Sequence, residues 1–211
     1  VDVGNGIMRD VQSVGASASF SGGTIGLSKT GKTKLDKQLD AAFPVSNAYP
    51  EGADSRAPAS KETVDEVISK VPILKELNAG FGDRFDIVVN SNFQHSSGAD
   101  AITDPRHNGG DPEPLGRPVI TFYGASFSDG YRGLGHTVLH EFGHVDSYLS
   151  KNFFRNYLTE GGNWNRAVYL DEDYAYKFAH RHGGHSPETY PSFQKAWDKY
   201  YASKRLQIKG F

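Results

Sequence analysis

The sequence predicts an α+β fold arranged around one long helix, and three features carry that expectation. Two short runs rich in β-branched and aromatic residues, RFDIVVN (84–90) and RPVITFYG (117–124), have the composition of strands. Stretches before and after them place apolar residues at helical spacing. Between the second strand and the last helical stretches lies GLGHTVLHEFGHVDSYL (133–149), an apolar helix whose His140 and His144 lie four residues apart with a glutamate directly after the first.

Taken in order, residues 1–32 are rich in Gly and Ser, and SASFSGGTIGLS can form a hairpin turning at Gly22-Gly23. TKLDKQLDAAF (33–43) predicts a short helix, and PVSNAYPEGADSRAPAS (44–60) a linker. The chain is therefore expected to divide into a Gly/Ser-rich N-terminal extension and linker, 1–59, and a catalytic domain, 60–211. A helix from Lys61 to Asn78 carries Val64, Val67, Ile68, Val71, Leu74 and Leu77 on one stripe, with Pro72 expected to kink or split it. The 84–90 run predicts a buried strand, and 91–116 a long polar loop. The 117–124 run predicts an edge strand able to pair with an extended peptide. DEDYAYKFAHRH (171–182) predicts a helix, and Ser186–Lys204 a last one with Pro187 in its first turn.

Composition narrows the function. A net charge of −2 gives no electrostatic case for binding nucleic acid or an anionic membrane. No apolar run approaches the ~20 residues of a membrane span. No basic-then-apolar leader opens at Val1, as expected of a cytosolic chain or of a mature or excised form. The absence of cysteine excludes disulfides and thiolate ligands, so any transition metal must sit on His, Asp or Glu.

His140-Glu141-Phe142-Gly143-His144 supplies such ligands. Helical residues i and i+4 lie one above the other, ~5–6 Å apart at Cβ, so both imidazoles can grip one zinc ion. Glu141 is rotated aside, where it can reach a water on the metal without binding the metal. Val138, Leu139, Phe142, Val145 and Leu149 anchor the helix, which argues against a solvent-facing helix with incidental histidines. Gly143, a poor helix former, implies close approach by backbone or substrate. The third ligand must come from Asp171, Glu172, Asp173, His180, His182 or His185. Glu172 is favoured because Ala175, one turn on, leaves room for the neighbouring helix. The competing account is that the three acids merely favour a helix N-terminus.

VLHEFGHVDSYL, then VYLDEDYAYKFAHRH, then PETYPSFQKAW resembles the zinc peptidase domain shared by anthrax lethal factor and the clostridial Pro-Pro endopeptidases. The resemblance spans residues 117–200. It implies a zincin-like fold and a second helix of the form E-[FY]-[FY]-A-x-x-F, whose glutamate is the third zinc ligand. Glu172, Ala175 and Phe178 match it, and Asp173 stands where an aromatic is usual. The family's catalytic tyrosine falls at Asn165, leaving Tyr169, Asn165, His136 or His182 to stabilise the oxyanion. Its aspartate three residues after the second histidine falls at Ser147, with Asp146 one residue early and rotated about 100° around the helix. His136, one turn before His140, is expected to be a packed or exposed histidine, and His180, His182 and His185 are expected to be surface histidines after the ligand helix, with facing the site the alternative for His182.

GLSKTGKT (26–33) fits the phosphate-loop pattern, but the polar, Gly-rich run before it is no buried strand, so a flexible segment is the better account. The expected function is peptide hydrolysis by a zinc-activated water, with Glu141 as general base and His140, His144 and Glu172 on Zn²⁺. The resemblance implies a secreted bacterial protease or toxin effector acting on an extended peptide. A monomer is expected. The alternative is a non-hydrolytic zinc-binding interaction domain.

Overall fold

The first helix of the described residues opens on a threonine. In the computed structural model, which describes residues 31–44, 57–105 and 116–208, the Thr33 hydroxyl accepts from the Asp36 N–H while Asp36 accepts from the Thr33 N–H. This reciprocal cap starts α1 (Lys34–Ala42). The 17–28 hairpin, most of the 44–60 linker and the first half of GLSKTGKT lie outside the described residues. Of that motif, Thr33 is a helix cap and Lys32 pairs with Asp40 at 2.5 Å.

The predicted 61–78 helix is two helices, α2 (Lys61–Lys70) and α3 (Pro72–Phe81). Pro72 sits at the first turn of α3, where its missing N–H costs nothing, so the chain breaks there rather than kinking. Among the described residues the fold is α+β, with seven α-helices and one three-stranded mixed sheet.

The sheet corrects three expectations. Its strands are β1 (Asp86–Val89), β2 (Ala101–Asp104) and β3 (Val119–Phe122), in the order β1-β3-β2. β3, expected at the edge, is central, parallel to β1 and antiparallel to β2, with Ile120 opposite both Ile87 and Thr103. β1, expected to be buried, is an edge strand with Val88 47% exposed. β2 emerges from what reads as a polar loop, because Ala101, Ile102 and Thr103 are buried between the half-buried Asp100 and Asp104.

The motif helix is α4 (Gly130–Leu149). Leu134, Val138, Leu139, Phe142 and Val145 are fully buried on it, and Phe142 meets Phe81 and Phe85 edge-on. A short α5 (Asn152–Thr159) follows, built on Phe153 and Phe154. The next helix, α6 (Trp164–Arg181), begins seven residues before the predicted 171 start, capped by the Asn163 side chain at 3.1 Å from the Arg166 N–H. Asp171, Glu172 and Asp173 are therefore mid-helix, and the dipole account of them fails. A 3₁₀ turn (Pro187–Thr189) holds Pro187, and the last helix, α7 (Pro191–Ile208), begins at Pro191 instead.

The core does not divide at residue 60. Leu35 and Leu39 of α1, and Ala57, are buried in the same cluster as the apolar face of α4. A Cβ on Gly135 would lie 2.5 Å from a Leu39 methyl, so α1 is packed hard against the motif helix. α4 and α6 are equally close: a Cβ on Gly143 would lie 2.7 Å from the Ala175 Cα. The close approach implied by Gly143 is backbone, and the room implied by Ala175 is used.

Candidate metal centre

That helix contact sets the site. It brings Glu172 of α6 beneath His140 and His144 of α4, all three with donor atoms within 4.8 Å of one another. His140 Nε2 lies 3.2 Å from His144 Nε2 and 3.3 Å from Glu172 Oε2, and His144 Nε2 lies 3.6 Å from Glu172 Oε1. A tetrahedral cation with arms of ~2.0–2.1 Å holds its donors ~3.3–3.4 Å apart, close to the two separations from His140 Nε2, with His144 facing the carboxylate's other oxygen. Both Glu172 oxygens are buried and lack a hydrogen-bond partner. An ionised carboxylate so placed is costly unless a cation completes it. This cluster can hold a metal ion.

The surroundings orient the donors. Asp171 Oδ2 lies 2.7 Å from His144 Nδ1, both side chains fully buried. The pair assigns a proton to Nδ1, so once the ring is neutral its Nε2 lone pair faces the cluster. Asp171 thus takes the outer role sought at Ser147 or Asp146. Ser147 is buried and receives Asn152, and Asp146 accepts the Tyr174 hydroxyl at 2.5 Å. His140 rests its ring 4.4 Å from that of Tyr176, and its buried Nδ1 has no partner. Glu141, also fully buried, takes a 2.6 Å hydrogen bond from the Thr103 hydroxyl on Oε2.

The remaining candidates are placed as follows. Asn165 is exposed, and Tyr169 is half-buried with no hydrogen bond or ring contact. His182 packs on Phe178, and His180 is exposed. Asp173 receives Lys177 at 2.8 Å and the Trp197 indole at 3.2 Å. His136 is packed, 2.9 Å from Asp36. The sequence reading missed Asp171 as an imidazole partner, Thr103 and Tyr176. Only Asp171 left a trace, as an acid adjacent to the ligand.

Burial raises the metal-free Glu172 carboxyl to about 7. Burial also lowers His140, to about 3, helped by the neighbouring His144. Burial acts against charge at His144 too, but Asp171 and Glu172 outweigh it and raise the imidazole to about 10. At pH 8, therefore, His144 is protonated while Glu172 is largely ionised. A metal needs the neutral imidazole, so loading at pH 8 should release about one proton per ion. Calorimetric titration in buffers of differing ionisation enthalpy measures that number, and zero release would contradict the protonated His144.

Comparison with known protein families, curated proteins and solved structures found no match.

Proposed function

We propose that the chain is a zinc-dependent endopeptidase with a zincin-like catalytic domain. One observation carries the reading: a buried carboxylate without a hydrogen bond, Glu172, faces two imidazole nitrogens, and Glu141 follows His140 directly on α4. Two imidazoles and one carboxylate, without cysteine, suit Zn²⁺. Bound there, Zn²⁺ would polarise a carbonyl and acidify a water.

The chain's own groups do the rest. His144 is held in its donating tautomer by Asp171, and His140 is oriented by Tyr176. Glu141, steadied by Thr103, takes a proton from the attacking water as its oxygen bonds to the carbonyl carbon. Glu141 then returns the proton to the amine as the C–N bond breaks. β2 is the edge strand beside α4, so backbone pairing to an extended substrate moves from β3 to β2.

The resemblance extends the proposal to a secreted bacterial protease or toxin effector. No helix among the described residues is long and apolar enough to cross a membrane. The test is cleavage of a broad peptide library by zinc-loaded protein and by the same preparation stripped with chelator. Cleavage confined to the loaded form is expected. A loaded protein that cleaves nothing would favour the non-hydrolytic interaction domain.

A further inference from the structure

We propose a second divalent-cation site, built by Asp36 of α1, His136 of α4 and His185 of the segment between α6 and α7. Together with the first centre, these are the two groups among the described residues whose three donor atoms lie within 4.8 Å of one another. Their side chains are 1%, 7% and 14% exposed. The carboxylate turns one oxygen to each ring: His136 Nε2 is 2.9 Å from Oδ1, and His185 Nε2 is 3.5 Å from Oδ2. The two imidazole rings lie 4.7 Å apart between centroids and 21° from parallel.

The competing account is an ion-pair hub. Arg132 Nε reaches Oδ1 at 2.8 Å, and the Thr33 N–H reaches Oδ2 at 2.9 Å. A carboxylate offers about four lone-pair positions, so these two contacts leave one on each oxygen, directed to the histidines. At 3.5 Å the His185 contact is a poor hydrogen bond but an ordinary separation between two ligands of one cation.

Two imidazoles and a carboxylate select a first-row divalent ion such as zinc over calcium or magnesium. Such an ion would join three elements near the first centre: α1, the stretch of α4 one turn before His140, and the loop whose Gly183 carbonyl accepts the Leu35 N–H at 2.9 Å. The site neither requires nor implies peptidase activity.

The test is zinc per chain, by elemental analysis after equilibration with zinc and gel filtration. Wild type should hold two ions, Glu172→Ala one, His185→Ala one, and Glu172→Ala/His185→Ala none. His180→Ala, at an exposed histidine, should still hold two. The zinc retained by His185→Ala also reports that the fold survives. One ion in wild type and none in Glu172→Ala would overturn the second site and leave the first standing. Two ions in His185→Ala would overturn the assignment of His185.

Discussion

Glu172→Gln should strip the protein of its first metal, whereas Asp173→Asn, one residue on, should leave it bound. Gln keeps the shape and one acceptor oxygen but removes the anionic arm, leaving two neutral imidazoles. Asp171→Asn is the calibrating variant, because losing an outer partner of a ligating histidine costs ~10–100-fold in metal affinity. Glu172→Gln should exceed that range. The measurement is competition for zinc against a chromophoric chelator, with elemental analysis on the same samples. Metal-free Glu172→Gln should also unfold at no lower a temperature than metal-free wild type. It removes a buried carboxyl that burial has already raised to about 7. Full zinc affinity in Glu172→Gln, lost instead in Asp173→Asn, would show that α6 presents a different carboxylate.

Glu141→Gln should keep both fold and metal and lose turnover. The Gln carbonyl oxygen can still accept the Thr103 hydroxyl that now bonds Glu141 at 2.6 Å, so the helix–strand contact survives. Basicity is what disappears. General-base catalysis contributes ~10²–10⁴-fold, and kcat should fall by at least that much with zinc occupancy unchanged. Cleavage equal to wild type on one library peptide would refute the assigned base. Loss of zinc from this variant would instead move Glu141 into the ligand set.

The motif helix was legible because its apolar positions repeat at helical spacing and surround the two histidines, and Pro72 marked the break between α2 and α3 through its missing N–H. Glu172 was legible from Ala175, whose small side chain matters because Gly143 meets its backbone. β2 was not legible, since four residues flanked by polar chain give no period to count. Thr103, the partner of Glu141, was lost with it. Burial of β1 was misjudged because an apolar run looks alike in a central and an edge strand. The α1 connection was also invisible. Asp36 lies 100 positions from His136, and only the tertiary fold turns a helix-capping acid into the neighbour of three basic side chains.

The two histidines of the first centre are anchored unequally. His144 is clamped from behind by Asp171, while the outer nitrogen of His140 has no hydrogen-bond partner and its ring packs on Tyr176. A cation held between them would therefore have one fixed arm and one that can swing. Rotation at His140, rather than at His144, should govern exchange of a cation at this site. Its rate would then be set by rotation of one imidazole past Tyr176, without any parting of the two helices.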